Sequence, residues 1–110
     1  MSGHEQSPEL ASITFLTGPL AGTTVSITRT VTTIGRDSSN DIVVKGDQQV
    51  SRHHARLIWA NGVWSVENIS ERNWISVNQR RLEQAILQNQ ATISLGKETS
   101  FLFTTLPLIQ

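Results

Sequence analysis

The sequence predicts an all-β fold, a β-sandwich of short strands with its polar loops gathered at one end. Three observations carry this. Runs of a few residues rich in Thr, Val and Ile recur along the chain, and these residue types suit a pleated, half-buried surface. Turn residues interrupt the runs about every ten positions, the spacing of a sandwich or small barrel. Asn61-Gly62 stands between two such runs, and both residue types accept the positive φ that a tight hairpin turn requires.

In chain order the runs are SITFLT at Ser12–Thr17, TTVSIT at Thr23–Thr28, VTTIG at Val31–Gly35 and DIVV at Asp41–Val44. ARLIW at Ala55–Trp59 and VWSV at Val63–Val66 flank the Asn-Gly turn, and ATISL at Ala91–Leu95 and SFLFTTL at Ser100–Leu106 complete the set. Trp59 and Trp64 lie on the hairpin strands and are expected to pack in the core or on a sheet face. Arg81–Asn89 is ambiguous, because Leu82, Ala85, Ile86 and Asn89 fall at helical spacing. A short apolar run does not distinguish helix from strand by period, and its place among β-runs favours a strand.

A chain of 110 residues and 12.2 kDa is one domain's worth. The expected division is a disordered tail over 1–10, a domain over 11–106 and a short tail over 107–110. Nine Lys and Arg balance nine Asp and Glu, which argues against a general nucleic-acid binder, since those carry a basic excess. With no cysteine, disulfides, thiolate metal sites and thiol nucleophiles are excluded. No secretion signal is evident at the start, and no apolar stretch approaches the ~20 residues that cross a bilayer. The expectation is a cytoplasmic protein with no membrane, nucleic-acid or cofactor partner, and its oligomeric state is not legible.

Polar residues concentrate in three inter-strand segments: Gly35–Asp41, Val50–His54 and Asn68–Asn73. If the loops converge, they offer the Arg36, Arg52 and Arg72 guanidinium groups, the Ser51 hydroxyl and the Asn73 amide. That donor set suits a phosphate, whose oxygens match a guanidinium fork and accept from hydroxyl and amide groups. Solvated loops also carry Arg, Ser and Asn without any ligand, so composition alone leaves both readings open.

The combination of Gly35-Arg36, Asn40-Asp41-Ile42, Ser51-Arg52-His53-His54-Ala55, Asn68-Ile69-Ser70, Asn73 and Val77-Asn78 resembles the forkhead-associated (FHA) domain, in its bacterial form. The resemblance covers about residues 12–105, and Leu16–Gly22 is also similar to bacterial members. It implies a β-sandwich of about eleven short strands with ligand-binding loops at one end, reading phosphothreonine peptides. It assigns Arg36, Ser51, Arg52 and Arg72 to the phosphate or the peptide beside it, and Asn73 to the ligand's main chain. His54 is implied as a brace of the loops, and Gly35, Asp41 and Asn78 as scaffold. The implied partner is a phosphothreonine-containing protein, a kinase or a kinase substrate.

The sequence departs from the family pattern at three places. The residue after Asn73 is Trp74 where glycine is usual, so Trp74 becomes a candidate for the ligand groove. Gln79 and Gln90 also stand where the family carries glycine, and both read as turn variants. Trp74 frames the alternative function, a phosphate-independent interaction module of the same fold with Trp74 as its apolar anchor.

Other chemistries are weaker. Ser51, His54 and Asp41 are a weak triad candidate, because a triad needs an aimed base, an orienting acid and an oxyanion hole, and no Gly-x-Ser-x-Gly elbow is present. His4, His53, His54 and Asp41 lack any standard metal-ligand spacing, and Gly18–Gly22 has no following Lys-Ser/Thr to make a P-loop. Arg80-Arg81 with the loop arginines would be the basis of a nucleic-acid surface, and the balanced charge and six aromatics speak against it. No enzyme, metal or cofactor is expected.

Overall fold

The computed structural model describes residues 10–106. Eleven strands follow one another: β1 Leu10–Thr17, β2 Thr24–Ile27, β3 Val31–Gly35, β4 Ile42–Val43, β5 Ala55–Ala60, β6 Val63–Asn68, β7 Ile75–Val77, β8 Arg80–Leu82, β9 Gln84–Leu87, β10 Ala91–Leu95 and β11 Thr99–Leu106. They form two sheets, one in the order β2-β1-β11-β10-β7-β8 and the other β4-β3-β5-β6-β9. All pairings are antiparallel except β3 with β4. Leu10, assigned from the sequence to the tail, is the first residue of β1 and pairs with Leu106. The rest of the two expected tails lies outside the described residues.

Alternation builds the core. Along β10 every second residue, Ala91, Ile93 and Leu95, is buried, and along β11 Phe101 and Phe103 face the same way. The opposing sheet contributes Ile34, Leu57, Trp64 and Val66, each at most 1% exposed. Inward side chains on two facing sheets interdigitate in this way in a sandwich. Phe15 meets Phe101 edge-on at 5.4 Å, and Trp64 meets Phe103 edge-on at 5.9 Å, the offset arrangement that aromatic quadrupoles favour. Trp64 is fully buried, and Trp59 is half-buried beside it at 5.4 Å.

Asn61 and Gly62 form the predicted two-residue hairpin, with φ of 55° and 79° and with Ala60 paired to Val63. The ambiguous segment over 81–89 is extended. It supplies the end of β8 and all of β9, each an edge strand of its own sheet, with only Glu83 between them. Asn78 and Gln79 make the turn between β7 and β8 with φ of 52° and 72°.

Candidate functional site

The β3–β4, β4–β5 and β6–β7 loops meet at one end of the sandwich and enclose a cleft of about 540 Å³. All five residues expected at the site, Arg36, Ser51, Arg52, Arg72 and Asn73, line it. Gln48, His53 and Ser70 line it as well.

The first two loops are held together by their backbones. Arg36 N–H donates to Ser51 O at 3.0 Å, and Asp37 N–H donates to Arg52 O at 3.2 Å. This close approach explains Gly35: a Cβ there would collide with the Arg52 carbonyl and lie 2.8 Å from the Asn40 side-chain nitrogen. Buried Asn40 donates that nitrogen to Asp37 O at 2.8 Å and to Arg52 O at 2.7 Å. Arg36 donates its Nε–H to Val50 O at 2.9 Å, which fixes the guanidinium at the cleft lining.

Asp47, only 3% exposed, ties the β4–β5 loop to the other sheet. Its carboxylate accepts from Thr99 Oγ1 at 2.6 Å and from Gln49 N–H at 2.9 Å. Asp41 works at the far end of the β3–β4 loop, where Oδ2 accepts from Thr33 N–H at 2.9 Å and Oδ1 pairs with Arg29 at 3.3 Å. Asn78 lies at the β7–β8 turn, accepting from Thr92 N–H at 3.0 Å. Neither Asp41 nor Asn78 lines the cleft.

His54 is fully buried beneath the site. Its Nδ1 accepts the Ser51 backbone N–H at 3.1 Å, so the proton resides on Nε2, which donates to Trp74 O at 2.8 Å. One imidazole thus joins the β4–β5 loop to the start of β7. Burial pushes its pKa below the ordinary 6.5, against the opposing pull of the Trp74 carbonyl and the Asp47 charge. Both nitrogens are occupied by backbone groups, so the ring is not aimed at the Ser51 hydroxyl and does not serve it as a base.

The hydroxyl network sets the chemistry of the cleft. Ser70 Oγ accepts from Asn73 N–H at 2.9 Å and from Arg72 N–H at 3.2 Å. With its lone pairs filled, its own hydrogen goes to Ser51 Oγ at 2.6 Å. Ser51 Oγ also accepts from Asn73 Nδ2 at 2.8 Å. A hydroxyl has two lone pairs and one hydrogen, so the Ser51 hydrogen is left without a partner among the described residues. The guanidinium groups of Arg52 and Arg72 are exposed and have no acidic partner among those residues. The cleft therefore offers one free hydroxyl donor among three cations, with Glu71 the acidic side chain on its lining.

Ser70 was not singled out from the sequence. A serine whose hydroxyl caps the N–H groups two and three residues on is a turn motif, and Ser70 in a loop ending at Asn73 was the available signal. Trp74 does not line the cleft. Its carbonyl accepts from His54 and from Gly96 N–H at 3.1 Å, and its half-buried ring lies under the Arg81 guanidinium, 4.4 Å from the ring centroid.

Comparison with known proteins bears on this arrangement. The family model described as FHA domain matches residues 32–96. The glycogen accumulation regulator GarA of Mycobacterium tuberculosis is 30% identical over 90 residues, which are 82% of this chain and 55% of GarA. The chain thus spans about half the length of the curated relatives it matches. Among solved structures, the FHA domain of a hypothetical protein of Arabidopsis thaliana has a TM-score of 0.84 at 22% identity, covering 100% of this chain and 98% of that one. The N-terminal FHA domain of Rad53p from S. cerevisiae, solved with a phosphothreonine peptide, has a TM-score of 0.77 at 17% identity, covering 88% and 94%. No helix among the described residues is long and apolar enough to cross a membrane.

Proposed function

The chain belongs to the FHA domain family, and from that membership and the cleft's hydrogen-bond pattern we propose that it binds phosphothreonine peptides and so recruits phosphorylated proteins. The observation that carries this reading is the unpartnered Ser51 hydrogen set among Arg36, Arg52 and Arg72. A phosphate monoester brings about −1.5 to −2 charges at neutral pH and three acceptor oxygens. Its oxygens accept from the Ser51 hydroxyl and from ionised guanidinium groups, and such charge-assisted bonds are roughly twice as strong as neutral ones. Asn73 Oδ1 accepts no hydrogen bond among the described residues, so it can accept from a peptide N–H beside the phosphorylated residue.

The phosphothreonine peptide held by Rad53p supports threonine as the modified residue. The partner in this reading is a kinase or a kinase substrate, met in the cytoplasm, and the chain acts by binding without turnover. The test is a titration of isotopically labelled protein with a phosphothreonine peptide, followed by amide chemical shifts. The reading expects saturable shifts at Arg36, Ser51, Ser70 and Asn73, and none at the Asn61-Gly62 turn. Shifts scattered over the sheet faces, or none at saturation, would refute it.

A further inference from the structure

The side chains of Arg80, Arg81 and Trp74 lie outside the phosphate cleft. Ile75 and Val77 of β7 are buried, so the alternating residues Trp74 and Ser76 project from the outer face of the six-stranded sheet. Arg81 on β8 pairs across from Ser76. Its guanidinium lies over the Trp74 ring with Cζ 4.4 Å from the centroid.

This stack fixes a cation. An Arg on an indole gains from the ring quadrupole and from stacking of two flat groups. The Trp74 backbone does not drift, because its carbonyl accepts from both His54 and Gly96. Arg81 is exposed, and stacking on a ring face leaves the N–H groups in the guanidinium plane free to donate. No carboxylate pairs with it among the described residues, whose ion pairs are Arg29–Asp41 and Arg56–Glu67. The stack also stands next to the cleft, since Asn73 lines the cleft and Trp74 follows it. Ser76, which faces Arg81, is three residues beyond Asn73, or ~10 Å along an extended chain.

We propose that the Arg81 guanidinium, held flat on Trp74, receives the carboxylate of an Asp or Glu in the same peptide whose phosphate occupies the Arg36–Ser51 cleft. This rests on the phosphopeptide reading and makes it specific: the ligand is an acidic phosphopeptide, with its carboxylate within about four residues of the phosphothreonine, the reach of an extended chain. A carboxylate matches the guanidinium fork with two parallel bonds. The stack immobilises the side chain before binding, which lowers the ordering cost of the contact.

The test uses the whole 110-residue chain and labelled phosphothreonine peptides in which a single Glu is moved through the flanking positions of an otherwise alanine-rich sequence. Unphosphorylated threonine versions run beside them. The expected result is that Glu at one or two neighbouring positions tightens binding about two- to fivefold, the upper part of the range of an exposed ion pair. Arg81→Gln should reduce that peptide to the affinity of its alanine counterpart, and Trp74→Leu should remove part of the gain. A Glu gain that survives Arg81→Gln, or no gain at any position, overturns the proposal while phosphate discrimination stands. A second phosphothreonine that binds through Arg81 where Glu does not overturns the carboxylate assignment. If phosphorylated and unphosphorylated peptides bind equally, the phosphopeptide reading itself fails and the proposal with it.

Discussion

Ser51 Oγ accepts a hydrogen bond from the Asn73 side-chain nitrogen at 2.8 Å, joining two loops 22 residues apart. Together with the Ser70 hydroxyl at 2.6 Å, that bond fills the lone pairs of Ser51 and leaves its one hydrogen without a partner among the described residues. The donor character of the site therefore resides in three residues acting together. Ser51→Ala should weaken phosphopeptide binding by about tenfold, the worth of one hydrogen bond to a charged group. Ser70→Ala should weaken it too, although Ser70 need not touch the ligand, because Ser51, Arg72 N–H and Asn73 N–H all lose their partner. Ser70→Thr, which keeps the hydroxyl, should retain most of the affinity. Isothermal titration of the three variants decides this, and equal affinities for Ser70→Ala and the parent would break the lone-pair argument.

Gly35 should resist even the smallest substitution. A Cβ at that position runs into the Arg52 carbonyl, which is backbone and itself bonded to Asp37 N–H and Asn40. Overpacking of this kind costs about 1–3 kcal/mol, and each kcal/mol moves the melting temperature of a domain this size by roughly 4–8 °C. Calorimetry on Gly35→Ala should show a lowered Tm and, because the β3–β4 and β4–β5 loops part, weaker phosphopeptide binding as well.

His54 predicts a dependence of stability on pH. Burial lowers its folded-state pKa below the ordinary 6.5, and Nδ1 is an acceptor only in the neutral ring. The unfolded chain then binds a proton at higher pH than the folded chain does. The stability due to neutral His54 is complete above about pH 6.5 and is lost as the pH falls toward the folded-state value. Urea midpoints at pH 7.5 and pH 5.5 should differ more for the parent than for His54→Gln, which should be less stable at the higher pH. A variant with the same pH slope as the parent would show that another group carries the effect.

The β7–β8 turn should be improvable. Gln79 holds φ at 72° after Asn78 at 52°, a left-handed conformation that costs a non-glycine residue roughly 1–2 kcal/mol. Gln79 has no side-chain hydrogen bond there among the described residues to offset this. Gln79→Gly should raise stability by about 0.5–1 kcal/mol, a net figure reduced by the entropy that glycine adds to the unfolded chain. Gln90, at φ 71°, should respond in the same direction. Thermal melts of the two variants test this, and an unchanged or lower Tm would mean the turns are not strained.

How much of this was legible in the sequence depended on the range of the interaction. The Asn61-Gly62 hairpin and the long runs of β1, β10 and β11 were readable, because a two-residue turn and a period of two are local signals. The three-residue strands β7 and β8 are too short to show a period, and β9 shares its apolar spacing with a helix. The membership of Arg36, Ser51, Arg52, Arg72 and Asn73 in one site came from the resemblance to a family, with composition leaving a solvated-loop reading open. What those residues do to one another was not readable. Asp47 meeting Thr99 across 52 residues, Asn40 reaching the Arg52 carbonyl and Ser70 orienting Ser51 are contacts that only the folded loops create. The side chain of Trp74, expected as a groove candidate, instead supports Arg81 beside the cleft.

The most direct test of the central claim is a fluorescence-anisotropy titration against three matched peptide libraries, centred on phosphothreonine, phosphoserine and unmodified threonine. Arg36→Ala serves as the control. The account predicts saturable binding to the phosphothreonine library, little to the other two, and a loss of about ten- to hundredfold with Arg36→Ala, as expected for charge-assisted bonds to a phosphate. Equal binding to all three libraries, or an Arg36→Ala variant indistinguishable from the parent, would contradict it.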